Sequence, residues 1–135
     1  MKAKEFWKFL CEDYDYRFFA GTPCEGLIPL YNNMSSADMH YIPAANENIG
    51  LGLARGSWIT GFKSAVLLSS KMINTLVIGD ICIPTLMIVA VDGDINTNFK
   101  FIYLSDGVDK LNLFMSELEG GKEPAIIFIG KGDFI

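Results

Sequence analysis

Three short stretches of this chain concentrate the residues able to do chemistry. The first, Gly21-Thr22-Pro23-Cys24-Glu25-Gly26, places a hydroxyl, a thiol and a carboxylate in one turn. The second, Ala44-Ala45-Asn46-Glu47, places a carboxylate just inside a helix that Asn46 is suited to cap. The third, Ser69-Ser70-Lys71-Met72-Ile73-Asn74, offers two hydroxyls, an amide and a cation after an apolar run. A thiol attacks only as thiolate, and no histidine or cationic cluster near Cys24 in sequence would lower its pKa, so a small buried filler is the plainer reading. Glu47, read alone, is a first-turn glutamate that complements the helix dipole. Lys71 could present a charge to an anion, although a solvated surface lysine is the default. The lone histidine, His40, enters a strand and supports no catalytic triad.

These residues must be positioned by one domain, because 135 residues bury a single core and are too few for two. Half of the residues are apolar and a fifth are charged, a globular composition at the hydrophobic end, whose surplus apolar surface suggests an interface. The net charge of −5 and the scattered lysines exclude the concentrated cationic face that nucleic-acid binding needs. Three widely spaced cysteines without a CxxC pair suggest neither a disulfide framework nor a zinc site. Charges in the first residues argue against a signal peptide, and Asp80 and Pro84 interrupt the greasiest region, residues 75–91, which is short for a bilayer span. A soluble protein of the reducing cytoplasm, without a membrane partner, is expected.

Along the chain, helical spacing of Phe6, Trp7 and Leu10 predicts a first helix. Residues 17–20 predict a strand that ends in the Gly21 to Gly26 turn. A short helix over 27–34 and a strand over 40–45 follow, with Pro43 tolerated only at an edge or a strand's end. The helix over 47–58 carries Ile49, Leu53 and Trp58 but also Gly50, Gly52 and Gly56. Each interior glycine costs about 1 kcal/mol against alanine, so together they predict close approach to another backbone or a cofactor. Apolar runs over 64–68 and 83–91 flank a helical segment over 72–79. A strand over 99–104, a helix capped by Asp106 and running to Leu118, and a strand over 124–129 complete the chain. Strands without polar alternation, interleaved with helices, predict a three-layer α/β/α domain over residues 1–135 with a mostly parallel sheet. On such sheets ligands gather at the carboxyl ends of strands, where both the Gly21 to Gly26 turn and the Asn46-Glu47 junction fall. A Rossmann reading of Gly50-Leu-Gly52-Leu-Ala-Arg-Gly56 fails. Its spacing is GxGxxxG, its glycines lie within the helix, and Glu47 would set a carboxylate where a pyrophosphate must bind.

The stretches Phe18-Phe-Ala-Gly-Thr-Pro-Cys-Glu-Gly-Leu27, Tyr41-Ile-Pro-Ala-Ala-Asn-Glu-Asn-Ile-Gly-Leu-Gly-Leu-Ala-Arg-Gly-Ser-Trp58 and Gly61-Phe-Lys-Ser-Ala-Val-Leu-Leu68 resemble the sulfopyruvate decarboxylase alpha subunit and the N-terminal domain of phosphonopyruvate decarboxylase. The resemblance implies a thiamine-diphosphate pyrimidine-binding domain in which Glu47 binds the aminopyrimidine nitrogen and promotes its imino tautomer, activating the cofactor for decarboxylation of a 2-keto acid. Such a carboxylate needs an apolar setting that raises its pKa enough to share a proton with a ring nitrogen. By the same resemblance Asn46, Thr22 and Pro23 border the cofactor. Cys24, Glu25, Ser69, Ser70, Lys71 and Asn74 are the substrate-side candidates.

Two departures accompany that resemblance. Relatives carry Gln-Asn-Ser-Gly-Leu-Gly-Asn where this chain has Ser69-Ser-Lys-Met-Ile-Asn74, and the stretch between Val91 and Phe99 is shortened. Thiamine-diphosphate enzymes also hold the diphosphate through a divalent metal, Mg, at a Gly-Asp-Gly motif and a later Asn. Asp92-Gly-Asp-Ile-Asn-Thr-Asn98 has those residue types but reads as a β-turn. A beta-type diphosphate-binding subunit is therefore expected to hold the metal, with self-association of this chain besides and a small anionic 2-keto acid as substrate, as in coenzyme M biosynthesis. The competing expectation is a degenerate paralogue that keeps the fold and serves as a non-catalytic binding or regulatory subunit.

Overall fold

The computed structural model describes residues 1–34, 39–77 and 83–134. Its centre is a six-stranded sheet of β1 (Phe18–Gly21), β2 (His40–Pro43), β3 (Ser64–Ser69), β4 (Thr85–Ala90), β5 (Lys100–Tyr103) and β6 (Pro124–Ile129), in the order β2-β1-β3-β4-β6-β5. Every pairing is parallel. The helices are α1 (Ala3–Lys8), which widens into a π turn over Phe9–Asp13, then α2 (Ile28–Tyr31), α3 (Glu47–Ile59) and α4 (Val108–Gly120). This is the α/β class and parallel sheet that the apolar runs predict.

Burial on both faces explains why β3, β4 and β6 read as unbroken apolar runs. Along β3, Ala65 and Leu67 join one core with Phe6, Trp7, Phe19, Ile88, Ile127, Phe114 and Met115, beneath α1, α2 and α4. Val66 and Leu68 point the other way, into a smaller core with Leu51 and Ala54 of α3 and with Met87, Val89, Ile126 and Phe128. A fully buried Leu, Ile or Phe contributes roughly 1.5–3 kcal/mol by leaving water, so these strands hold the layers together. Pro43 is tolerated because it ends β2, an edge strand.

The chain runs outward from β1 to β2 through α2, then returns across β1 to β3 through α3. The two connecting helices pack on opposite faces, which opens a crevice at the carboxyl ends of β1 and β3, the topological switch point of the sheet. The connection from β4 to β5, residues 91–99, crosses the second face without a helix, and Val91, Ile95 and Phe99 pack against the smaller core in its place. Beside it Phe101 and Tyr103 flank Phe128, each at a ring-centroid distance of 5.4 Å.

Three expectations need correction. Asp106 does not cap α4: its Oδ2 accepts from Tyr103 N at 3.1 Å and closes a 3-10 turn over Leu104–Asp106, and α4 starts after Gly107, whose φ of 103° suits a residue without a Cβ. The helical segment expected over 72–79 is a 3-10 turn over Ser70–Thr75, and residues 78 and 79, like Asp80 and Cys82, lie outside the described residues. Of the glycines in α3, only Gly50 answers to close packing. A Cβ there would stand 3.2 Å from Gly21 Cα, whereas one at Gly52 or Gly56 would meet nothing within 4 Å.

Candidate functional site

Five segments converge at the carboxyl edge of the sheet: residues 22–27 after β1, the start of α3 after β2, the Ser70–Thr75 turn after β3, residues 91–99 after β4, and residues 130–133 after β6. Their placement follows from the parallel pairing, because every connection that leaves a parallel strand starts on the same edge.

Asn46 caps α3 as its type predicts. Its side chain, on an extended backbone, accepts from Ile49 N at 3.0 Å and satisfies one of the free amides of the first turn. Glu47 is the first residue of α3 and is half-buried. The contact of Gly50 with Gly21 lays this end of the helix on the end of β1. The next residue, Asn48, donates from Nδ2 to Thr75 O at 2.9 Å and accepts from Val77 N at 2.8 Å, so the start of α3 is tied to the segment that follows β3.

Thr22 Oγ1 is buried and has no hydrogen-bond partner among the described residues, which marks it as a polar atom awaiting a ligand or solvent. Pro23 and Glu25 are exposed and Cys24 is half-buried. Burial pushes the Cys24 thiol up; the backbone amides of Leu27 and Gly26 oppose this and the nearby charge of Asp92 adds to it. The thiol is therefore held protonated, in accord with the reading of Cys24 as a filler rather than a nucleophile. Behind it the Tyr41 hydroxyl donates to Gly21 O at 3.2 Å, and the Tyr31 and Tyr41 rings meet edge to face at 5.5 Å. Burial raises the pKa of both phenols.

A cleft of about 500 Å³ opens beside this loop, with Cys24, Glu25, Ser69, Asp92 and Lys131 on its walls. Of the residues singled out in sequence, Cys24, Glu25 and Ser69 are brought together there, while Asn46 and Glu47 lie outside it at the start of α3. Ser70 and Lys71 face its rim through Asp92. The Ser70 hydroxyl donates to Asp92 O at 2.9 Å and accepts from Asp92 N at 2.8 Å, and Lys71 Nζ lies 3.2 Å from Asp92 Oδ2. Asn74 is exposed and does not line the cleft.

Sequence reasoning missed Asn48, Tyr41, Asp92 as a tether, and Lys131. Only Lys131 carried a usable signal: a lysine between two glycines, directly after the last apolar strand and so at the carboxyl edge.

No family model matches the chain, and no curated protein matches it. Among solved structures, 2-oxoglutarate:ferredoxin oxidoreductase from Magnetococcus marinus, with 2-oxoglutarate, coenzyme A and succinyl-CoA bound, superposes over 98% of this chain with a TM-score of 0.65 at 13% identity. The chain therefore has an α/β fold of the kind found in that enzyme. It spans 29% of the enzyme's length. A candidate thiamin diphosphate-dependent enzyme from Mycobacterium smegmatis aligns over 96% of this chain and 32% of its own, at 10% identity and a TM-score of 0.49, below the level that defines a common fold. Among the described residues no helix is long and apolar enough to cross a membrane.

Proposed function

We propose that this chain is the pyrimidine-binding component of a thiamine-diphosphate-dependent enzyme that decarboxylates a small anionic 2-keto acid of the sulfopyruvate or phosphonopyruvate type. The observation that carries this reading is Glu47, a half-buried carboxylate in the first turn of α3, at the carboxyl edge of a parallel sheet. Of the three stretches that resemble the decarboxylases, residues 18–27 and 41–58 supply β1, β2, α3 and the loops at the carboxyl edge that join them. The fold neighbour supports the fold class that this reading needs, and the substrate type rests on the resemblance of those stretches to the decarboxylases.

The residues present suit the pyrimidine half of the cofactor. Glu47 would hold a proton in common with a ring nitrogen, and Thr22, whose buried hydroxyl lacks a partner, would hydrogen-bond the same ring or the water beside it. Asn46 fixes the helix start from which Glu47 projects. When bound, thiamine diphosphate supplies the electron sink for loss of carbon dioxide. Among the described residues no group of three His, Cys, Asp or Glu side chains could hold a metal ion. By the resemblance to the decarboxylases, the diphosphate and its divalent ion would be held by a beta-type partner chain.

The test is co-expression of this chain with a diphosphate-binding chain and measurement of carbon dioxide release from sulfopyruvate and phosphonopyruvate. Glu47→Gln keeps the shape and removes the shared proton, so kcat should fall by a factor on the order of 100 or more, as for loss of a general acid–base group. Equal turnover by the two forms would exclude the role of Glu47.

A second reading, a non-catalytic paralogue that binds or regulates, rests on the turn after β3. There Ser70 and Lys71, two of the substrate-side candidates, are both engaged by Asp92. A stable complex with the diphosphate-binding chain that releases no carbon dioxide would favour it.

A further inference from the structure

The cleft beside Cys24 contains one cation that the sequence reading did not use. Lys71, a substrate-side candidate whose default reading is a solvated surface lysine, has its charge compensated by Asp92 at 3.2 Å. Lys131 lines the cleft together with Asp92, exposed, with no ion pair to a described residue. It is presented by a fixed turn: Asp133 Oδ2 accepts from Gly130 N at 2.6 Å, Asp133 N donates to Gly130 O at 3.1 Å, and Gly132 takes a φ of 85° that other residues rarely adopt. The floor between the walls is apolar, with Ala90, Val91 and Ile129 at the ends of β4 and β6.

The charges around the cleft sort themselves. Asp92 is paired with Lys71, Glu25 is exposed, and the Cys24 thiol is uncharged because burial holds it protonated. A neutral thiol does not repel an anion, whereas a thiolate would. Among the described residues lining this small, partly apolar cavity next to the loop after β1, Lys131 is thus the cation without an ion pair.

We propose that Lys131 is the specificity-determining residue for the substrate's second acid group, the sulfonate or phosphonate, and that the cleft of Cys24, Ser69 and Lys131 is the subsite that receives it. The assignment rests on the decarboxylase reading and adds the group that selects a doubly anionic 2-keto acid over pyruvate. Lys131 acts on binding, leaving the reacting bonds to other groups.

Two measurements test it. In the complex with the diphosphate-binding chain, Lys131→Met should raise KM for sulfopyruvate and phosphonopyruvate at least 10-fold with kcat within a factor of two. KM for pyruvate should be unchanged, and Lys131→Arg should restore the wild-type value. On the chain by itself, phosphonopyruvate should shift the amide NMR signals of Gly130 and Cys24 in the wild type, but not in Lys131→Met. If Glu47→Gln abolishes turnover while Lys131→Met matches the wild type, the subsite is refuted and the decarboxylase reading stands. If the complex releases no carbon dioxide, that reading falls, and the NMR titration alone decides the subsite: equal shifts in Lys131→Met overturn it.

Discussion

Lys71 Nζ lies 3.2 Å from Asp92 Oδ2, joining the turn after β3 to the start of the connection after β4, with the two side chains 64% and 55% exposed. Pairs so open to water gain little, because solvent screens them and two long side chains must be held still. Lys71→Met should therefore cost less than about 1 kcal/mol, and the difference from wild type should vanish in about 1 M NaCl. Ser70→Ala should cost more than Lys71→Met, since its hydroxyl serves both the amide and the carbonyl of Asp92. Urea denaturation of the two variants at low and high salt measures both. A loss above about 2 kcal/mol from Lys71→Met would mean the tether is structural rather than a screened surface contact.

The glycines of the site separate by what a methyl group would meet. At Gly21 a Cβ would run into the Leu67 carbonyl oxygen, which belongs to the paired strand and cannot move aside, so Gly21→Ala should yield little folded protein. At Gly52 and Gly56 a Cβ meets nothing within 4 Å, and alanine favours a helix by about 1 kcal/mol over glycine, so each substitution should raise stability by up to that amount. Thermal denaturation at two protein concentrations checks this. If either alanine lowers the midpoint only at high concentration, that glycine is buried against another chain in an assembly.

The same glycines show how far the sequence could be read. A run such as Ala65-Val-Leu-Leu68 declares a strand buried on both faces because two apolar layers need every position, and β3, β4 and β6 all fall where such runs lie. Asn46 was legible because a cap is a local device needing only its own helix. Which of three glycines in α3 touches β1 was not legible, because it depends on how the helix is rotated over the sheet, and only Gly50 faces Gly21. The Asp106 expectation failed for a related reason. Two competing local sites, the 3-10 turn and the start of α4, lie within three residues of each other, and the side chain serves the nearer amide of Tyr103. The cleft was half legible: Cys24 and Glu25 lie in a segment marked by Gly and Pro and Ser69 ends an apolar strand, but the engagement of Lys71 by Asp92 joins residues that are far apart in sequence.

Asn48 is a helix residue whose side chain works outside the helix, bridging Thr75 O and Val77 N at 2.9 and 2.8 Å. Asn48→Ala removes both bonds and should cost about 1–2 kcal/mol, with the larger effect on the local stability of the segment after β3. Hydrogen exchange at the Val77 amide is the direct readout, since that proton is given to Asn48 Oδ1 in the wild type. Asn48→Asp should keep the bond from Val77 and lose the one to Thr75, so its exchange rate should fall between those of wild type and Asn48→Ala. Identical protection in all three proteins would show that the segment is held by something other than Asn48.

Tyr16 is fully buried, its hydroxyl has no hydrogen-bond partner among the described residues, and burial first, then the charge of Glu119, pushes its pKa above the ordinary value of 10.0. A phenol whose folded pKa is raised stays protonated in the fold while the unfolded chain gives up its proton. Its contribution is then complete below pH 10.0 and is lost progressively as pH rises above that value. The slope reaches about 1.4 kcal/mol per pH unit for one group, and Tyr14, Tyr31 and Tyr41, shifted the same way, add to it. Tyr16→Phe removes one of these groups along with a buried hydroxyl that gains nothing from the protein. At pH 7 the variant should lie within about 1 kcal/mol of wild type, and near pH 11 it should be the more stable of the two. Urea midpoints at the two pH values give the comparison. A large loss at pH 7 would reveal an unrecognised partner for the hydroxyl, and identical alkaline slopes would mean that Tyr16 ionises equally in the folded and unfolded chains.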